Sequence, residues 1–413
     1  MTGGQVVGSL GKDYEVRTHA PKIQTPVVDF AVRTEKQTAR FIVRYELLHE
    51  AARLLHNHRI AKCSWYKMGA AVIMKNDVTG KTSYGKTILM CGCAWLCPVC
   101  SVKITEKHRI EVRAGVDAWQ AKNGGIFMIT PTLQHTKEDN LDELLKIFCD
   151  ALRWMQKQRS WKQFLKKYQI VGNIRAIEST CSFQNGHHPH GHTLYFSKCK
   201  YPDIYAIKAD FLIMWKAALA KFGRYCSDEH GVTVREGDKA ISDYLAKMGV
   251  EMPVTNGGID YEMTNGLKKS GRDSGHYTPF ELLALSARGD KWAGKMYKEY
   301  AAATKGVNQV RWSSGLRKLL GVTDELVETI QKQNNPNPGV KREFYKFADR
   351  DWKIALVDTS TNKLRNGVFL DTSSKTDEIG FDTFIKFVVE LEERRRKDYA
   401  MVEEARLLGG VVT

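Results

Sequence analysis

The feature that most constrains this chain is the stretch HPHGHTLYF at residues 188–196. We interpret this stretch as a β-strand. Side chains of a strand alternate between its two faces, so His190, His192, Leu194 and Phe196 would share a face. The Cα atoms of the two histidines would then lie about 7 Å apart, close enough for both imidazoles to bind one metal ion. The alternative is a chance histidine cluster on a solvated strand.

The neighbouring sequence predicts the partner of this strand. Residues 170–183 also alternate, and Asn185-Gly186 is a typical hairpin-turn sequence. A two-stranded hairpin is therefore expected here. His188 shares the face of the other two histidines, but about 13 Å of flat strand separates it from His192. That distance is too long for both to bind one ion.

Five of the nine cysteines lie between residues 63 and 100, four of them in CGCAWLCPVC. The spacing of Cys97 and Cys100 is typical of a zinc knuckle, in which backbone N–H groups point at sulfur. A redox-active pair is the alternative, but it needs a strand before it, a helix after it and no further cysteines. We expect structural zinc on Cys63, Cys91, Cys97 and Cys100, with Cys93 left over.

Composition narrows the class of protein. An apolar content of 43% and a charged content of 27% are ordinary for a globular chain, and 413 residues predict two or three domains. The net charge of +16 indicates a polyanionic partner, nucleic acid first and an anionic membrane surface second. No apolar run reaches membrane-spanning length, and no secretory signal is visible at the N-terminus. Clustered thiols are typical of a reducing compartment, so a cytoplasmic location is expected.

Periodicity along the rest of the chain predicts an α+β fold. A central antiparallel sheet should be flanked by helices, with an N-terminal zinc-binding module and a helical C-terminal region. The expected strands are 126–130, 170–183 and 188–196. The expected helices are 34–58, 104–119, 141–154, 205–222, 240–248, two within 278–300, and 381–408. The expected domains are an N-terminal arm with a basic helix (1–59), the zinc-binding module (60–105), the nuclease domain (106–275), the helical region (276–333) and a tail of unknown role (340–413).

Several motifs in order resemble those of plasmid rolling-circle replication initiators of the HUH endonuclease superfamily. CGCAWLCPVCSVKI resembles the zinc motif, GGIFMITPTLQH the first motif, NGHHPHGHTLYF the metal motif and ISDYLAKM the nucleophile motif. YTPFELLALSARGD and QVRWSSGLRKLLG resemble the C-terminal region. The resemblance covers residues 60 to about 330, and the ordered set is more specific than any single motif.

The resemblance implies a metal-dependent nickase that works by transesterification. Tyr244 would attack a phosphate, giving a 5′-phosphotyrosine intermediate and a free 3′ hydroxyl as a primer, with later strand rejoining. Lys247, three residues on and on the same helix face, would stabilise the phenolate or the phosphate. Glu178 on the neighbouring strand would complete the ligand set with His190 and His192 for Mn²⁺ or Mg²⁺.

Glu178 reaches the histidines only in one register of the hairpin. A strict two-residue turn at Asn185-Gly186 would pair Ser179 with His192 and turn Glu178 to the wrong face. We therefore predict a bulge or an odd-length loop within residues 181–187.

The expected partners are plasmid origin DNA, as a single strand or a hairpin at the nick site, with a host helicase and a DNA polymerase, and no membrane. His188 and Arg175 are expected to contact DNA. Ala240 stands where some relatives carry a glutamate that activates water to end the cycle, so no acid is assigned to termination. Two alternatives stay open: a transposase or mobilisation relaxase of the same superfamily, and a non-catalytic zinc-containing DNA-binding regulator.

Overall fold

A computed structural model describes residues 43–237, 275–333, 339–358 and 363–407. Within these ranges the chain is α+β, with antiparallel sheets flanked by helices. The predicted helix at 240–248 and most of the predicted linker after residue 333 lie outside the described residues. In the described part of the chain, no helix is both long and apolar enough to cross a lipid bilayer.

A five-stranded antiparallel sheet forms the centre. Its strands are β3 (Gly125–Pro131), β4 (Ile170–Ser182), β5 (Gly186–Ser197), β6 (Val232–Glu236) and β7 (Val310–Trp312). They lie in the order β6-β3-β5-β4-β7, and every neighbouring pair is antiparallel. The expected central antiparallel sheet and its three predicted strands are confirmed.

The β4–β5 hairpin has the odd-length loop that the sequence predicted. Ser182 pairs with Gly186, which leaves the three residues 183–185 in the loop. Gly186 takes a φ of +70°, a left-handed conformation that glycine adopts without strain. The Asn185 N–H donates to Ser182 Oγ across 3.0 Å. In this register Glu178 lies directly opposite His190, on the face of the histidines.

Helices cover both faces of the central sheet. On one face Phe127 and Tyr195 pack against helices that carry Phe148 and Trp215, and on the other Leu194 packs with residues of the helix after the cysteines. The helices are α1 (residues 43–54), α2 (Cys100–Gln120), α3 (Leu141–Lys157), α4 (Arg159–Lys167), α5 (Ile204–Ala220), α6 (Pro279–Ala287), α7 (Lys291–Ala303), α8 (Leu316–Leu319) and α9 (Asp324–Gln333). The chain turns between α6 and α7 as predicted.

Gly191 permits the close approach of α3 to the histidine strand. A Cβ atom at this position would lie 2.9 Å from Phe148 Cζ, which is closer than side-chain carbons pack. The glycine between the two histidines therefore belongs to the packed face of the sheet, while the histidines face the other way.

A second sheet joins the region of the cysteines to the end of the chain. Its strands are β1 (Val72–Asn76), β2 (Thr82–Tyr84) and β8 (Lys341–Lys346), in the order β2-β1-β8. The remaining elements are α10 (Asp349–Ala355), β9 (Val357–Asp358), β10 (Lys363–Leu364), α11 (Asn366–Lys375) and α12 (Glu378–Leu407). The ranges expected as a zinc module and a tail thus share one sheet, and the domain boundaries stay a prediction.

Candidate metal centre and cysteine cluster

Three potential metal ligands converge on one face of the β4–β5 hairpin. The ligand atoms of Glu178, His190 and His192 all lie within 4.8 Å of one another. Glu178 Oε1 contacts His190 Nε2 and lies 3.4 Å from His192 Nε2. The side chains are partly or fully screened from solvent, with His192 buried. The hairpin register therefore brings together the three residues that the sequence singled out.

Further contacts orient both imidazoles. Thr130 Oγ1 on β3 lies 2.8 Å from His192 Nδ1, and the His188 carbonyl lies 3.2 Å from His190 Nδ1. With an ion bound, the ring protons would lie on Nδ1 and be donated to these oxygens. Each Nε2 would then present its lone pair to the ion in place of its present hydrogen bond to Glu178. Hydrogen bonds of this kind are common behind metal-binding histidines.

Thr130 was not among the residues singled out from the sequence. β3 pairs with β5 through Ile129 and Thr193, which places Thr130 beside His192. The signal that could have found it is the single polar residue at the end of the apolar run IFMIT. No local sequence feature, however, indicated that β3 would pair with the histidine strand β5.

Electrostatics favour a bound cation. Burial alone would raise the pKa of Glu178, but hydrogen bonds from His190 and His192 outweigh it and lower the pKa below its ordinary value. Burial lowers the pKa of His192, although Glu178 opposes that shift. At neutral pH the carboxylate is therefore ionised and His192 is neutral, the forms in which both residues bind metal. Two imidazoles and a carboxylate fit a divalent ion such as Mn²⁺ or Mg²⁺, and the identity of the ion is a proposal.

His188 lies beside this centre but has other partners. Its Nδ1 is 2.7 Å from His135 Nε2, and both residues line a cavity of about 540 Å³ together with His276. Burial, with the neighbouring His190 and His135, lowers the pKa of His188 to about 4. His188 is thus a neutral wall residue near the metal ligands, in a position where it could contact a substrate.

The other residues that the sequence analysis predicted to be functional do not lie at this metal centre within the described part of the chain. Arg175 pairs with Thr193, on the face of the sheet opposite to Glu178, and lines a separate cavity. Tyr244 and Lys247 lie outside the described residues. The predicted roles of all three stay proposals.

Four cysteines form a second potential metal site. The Sγ atoms of Cys63, Cys91, Cys97 and Cys100 all lie within 4.8 Å of one another, and all four residues are buried. Cys63 Sγ is 3.7 Å from Cys97 Sγ and 3.7 Å from Cys100 Sγ. These lengths match the edge of about 3.8 Å in a tetrahedron of sulfur around zinc. Cys93 is not part of the group, as the sequence suggested.

Backbone N–H groups support this cluster as they do in a zinc knuckle. The Cys100 N–H donates to Cys97 Sγ across 3.3 Å, and the Cys91 N–H donates to Cys63 Sγ across 3.4 Å. Cys100 is also the first residue of α2, where the helix dipole stabilises a thiolate. The donor set therefore fits zinc, and the metal itself is a proposal.

Comparisons with known proteins agree with these features. Residues 87–226, which include most of the cysteine cluster and the whole β4–β5 hairpin, match the replication protein family. The chain is 25% identical to the "Protein rep" of Streptomyces lividans, with 61% of this chain and 68% of that protein covered. It is 28% identical to a protein of Streptomyces cyanogenus named "Neomycin resistance protein", with 30% of this chain and 34% of that protein covered. No solved structure gives a significant match. The match is to a segment of the chain, and the predicted resemblance to plasmid replication initiators is confirmed.

Proposed function

We propose that the protein is a plasmid rolling-circle replication initiator that nicks one DNA strand at the origin. The observation that carries this proposal is the convergence of Glu178, His190 and His192 on one hairpin within the matched segment. A regulator that only binds DNA would not need this ligand set. The +16 net charge agrees with a DNA partner.

The proposed reaction is a transesterification. The Tyr244 oxygen bonds to phosphorus, the bond from phosphorus to the 3′ oxygen breaks, and the phenolic proton is released while the 3′ oxygen is protonated. A divalent ion held by the three ligands would neutralise charge on the phosphate oxygens. Lys247 would stabilise the phenolate or the phosphate. Because a phosphodiester is replaced by a phosphotyrosine ester, the reverse reaction rejoins the strand without ATP.

The positions of the ligands suit this role. Glu178 and the two histidines lie on adjacent central strands, so the sheet holds them rigidly. Thr130 and the His188 carbonyl orient the rings. We propose that the arrangement is an HUH endonuclease site, with zinc on the four cysteines as a structural element. A host helicase and polymerase would act on the nicked product.

The test is the formation of a covalent adduct. The protein would be incubated with Mn²⁺ and labelled oligonucleotides that tile the origin, and adducts would be separated on denaturing gels. We expect an adduct with the parent protein and none with Tyr244→Phe, which keeps the aromatic ring but lacks the nucleophilic oxygen. Tyr201→Phe is the matched control, because Tyr201 is exposed and lies beyond the end of β5, outside the group of metal ligands.

DNA binding is measured alongside. Binding depends mainly on lysine and arginine contacts to phosphates, so Tyr244→Phe should bind origin DNA nearly as tightly as the parent. Binding without any adduct in the parent would instead support the non-catalytic regulator. A phosphotyrosyl peptide that maps to Tyr261 would move the nucleophile and remove the role proposed for Lys247.

A further inference from the structure

Two arginines lie directly opposite each other on the face of the sheet away from the metal ligands. Arg175 in β4 pairs with Arg311 in the edge strand β7, so their side chains project from the same face. Like charges in directly opposed positions of a sheet destabilise it. A compensating acid or an anionic ligand would relieve this repulsion.

No compensating acid is present within the described ranges. There, neither Arg175 nor Arg311 makes a salt bridge or a side-chain hydrogen bond. Burial is the main cause that lowers the pKa of Arg175; Arg311 and Arg153 act in the same direction, and Cys149 and Tyr195 oppose them. Arg153 has its own partner, Asp150, at 2.8 Å.

Of the two opposed arginines, Arg175 is partly buried and Arg311 is exposed. Two other partly buried arginines in the described ranges each have an acidic partner. Arg365 lies between Asp358 and Glu392, and its guanidinium contacts Asp358 at 3.0 Å. Arg224 contacts Asp139 at 2.7 Å. Arg365 and Arg224 thus have acids, whereas the partly buried Arg175 has none among the described residues. An external anion between Arg175 and the exposed Arg311 would supply the missing negative charge.

The two arginines open into a cavity of suitable size and polarity. The cavity has a volume of about 350 Å³ and lies between β4, β7 and the helices α3 and α4. Ser313 and Thr193 supply hydroxyl groups near the arginines, and Trp161 and Leu165 of α4 supply an apolar wall. One end is therefore cationic and the other apolar. This combination suits a ligand with an anionic group and a planar, weakly polar body.

We propose that this cavity binds one nucleotide of single-stranded DNA, with its phosphate between Arg175 and Arg311. The guanidinium groups match the geometry of phosphate oxygens and can each donate two hydrogen bonds. The base would contact the apolar wall that Leu165 and Trp161 contribute to the cavity. The choice of DNA over a free nucleotide rests on the proposed function. The site is separate from the metal ligands, because it opens on the opposite face of the sheet.

Binding would be measured by fluorescence anisotropy with a labelled twelve-residue oligothymidylate, with no Mn²⁺ or Mg²⁺ added. Arg311→Ala removes an exposed side chain from an edge strand, and Arg175→Met keeps most of the aliphatic volume. We expect each change to weaken binding roughly tenfold and to reduce the salt slope by about one phosphate contact. Arg342→Ala is the matched control, because it removes one positive charge from β8 and should change binding less than about twofold.

Thermal unfolding gives a second readout that does not depend on the label. Removing one of two opposed like charges should raise the melting temperature of Arg311→Ala without ligand. Thymidine monophosphate should raise the melting temperature of the parent but not that of Arg311→Ala. If thymidine monophosphate binds through these arginines and the oligonucleotide does not, the cavity binds free nucleotides. The assignment to single-stranded DNA is then wrong.

The proposal is overturned if both arginine variants bind the oligonucleotide and the monophosphate as the parent does. It is equally overturned if Arg342→Ala weakens binding as much as they do, because the effect would then be one of net charge. Adduct formation at Tyr244 is scored separately, in the presence of Mn²⁺. Failure of the nicking reaction and failure of this site are therefore distinguishable.

Discussion

At the scale of single residues, the candidate metal centre depends on how each ring is held. His192 is buried and its Nδ1 lies 2.8 Å from Thr130 Oγ1, which directs its Nε2 toward Glu178. His190 is held by the carbonyl of His188, on its own strand. A backbone carbonyl cannot be removed by substitution, whereas the threonine hydroxyl can. Thr130 is therefore the residue through which ring orientation is best tested.

Replacing Thr130 with valine keeps the shape of the side chain and removes only the hydroxyl. We expect affinity for Mn²⁺ to fall by about 10- to 100-fold, the usual effect of losing such a supporting hydrogen bond. Isothermal titration calorimetry would measure it. The matched control is Thr233→Val on the neighbouring strand β6, where the side chain is exposed. Equal affinities of Thr130→Val and the parent would contradict the orienting role.

His192→Ala tests the ligand itself. The variant should form the covalent adduct slowly, because it retains metal poorly. High Mn²⁺ should restore part of the rate, since mass action offsets a weakened site. Tyr244→Phe should not respond to Mn²⁺ at any concentration, because it lacks the nucleophile. The yield of adduct, measured as a function of Mn²⁺ concentration, distinguishes His192→Ala from Tyr244→Phe. An adduct rate in His192→Ala that equals the parent rate at low Mn²⁺ would exclude His192 as a ligand.

At the scale of elements, the cysteine cluster joins three separate pieces of chain. Cys63 precedes β1, Cys91 follows β2, and Cys97 and Cys100 stand at the start of α2. The pieces pack into one hydrophobic cluster, and the four thiols link them a second time. A bound metal would therefore contribute directly to the stability of the region.

Cys97→Ser should lower the zinc content and melt the region of residues 60–105 at lower temperature than in the parent. Zinc content would be measured by atomic absorption, and thermal unfolding would be followed by circular dichroism. Cys93→Ser is the matched control, since Cys93 is buried nearby but lies outside the four-thiol group. A Cys97→Ser protein with unchanged zinc and unchanged melting would refute the assignment.

The loop between β3 and α3 is held by an ion pair with a defined pH dependence. The hydrogen bond from Arg224 lowers the pKa of Asp139, which also accepts the Thr136 N–H at 2.8 Å. Because the pKa of Asp139 is lower in the folded protein, the ion pair contributes its full stabilisation above the unfolded-state pKa of about 3.9. This stabilisation is lost as the pH falls through the folded-state pKa.

Asp139→Asn should therefore destabilise the protein by about 1 kcal/mol at pH 7, with the difference from the parent shrinking as the pH falls below about 4. Urea unfolding of both proteins at several pH values would measure this difference in the free energy of unfolding. The control is Asp117→Asn, because the Asp117 carboxylate, paired with Arg113, is 48% exposed against 15% for Asp139, and a smaller effect is expected there. A difference that persists unchanged at pH 3 would contradict the role of the ionised carboxylate.

At the scale of the whole molecule, the end of the chain supports its beginning. β8 pairs with β1, and Asn366 Nδ2 donates to the Ser64 carbonyl across 3.0 Å, next to Cys63. Tyr84 donates from its hydroxyl to the Asn366 carbonyl at 2.9 Å. The range expected as a tail of unknown role thus forms part of the surroundings of the cysteine cluster.

Trp352→Ala tests this connection. Trp352 is 2% exposed and packs edge-on against Tyr84, so its truncation should cost about 3–5 kcal/mol and speed the release of zinc. Denaturant unfolding and a chromogenic zinc chelator would measure the two effects. Phe387→Ala is the matched control, since Phe387 is 62% exposed on α12. Zinc release at the parent rate from a destabilised Trp352→Ala protein would show that the two regions are energetically independent.

The sequence by itself determined the features that depend on local periodicity and short spacings. Alternation placed His190 and His192 on one face, and the need to bring Glu178 to that face predicted the odd-length loop after Ser182. The motif spacing also separated Cys93 from the four clustered thiols. Helix boundaries were predicted less accurately. Helix α2 begins at Cys100, within the cysteine motif, and not at residue 104 as predicted.

Tertiary structure alone decided which distant segments meet. Thr130 reaches His192, Arg311 stands opposite Arg175, and β8 joins β1 only through strand pairings between segments far apart in the chain. Periodicity reports which face of an element is buried, but it carries no information on which element will cover that face. These pairings are selected by the packing of the complete core, so the residues they bring to each site could not be found from the sequence.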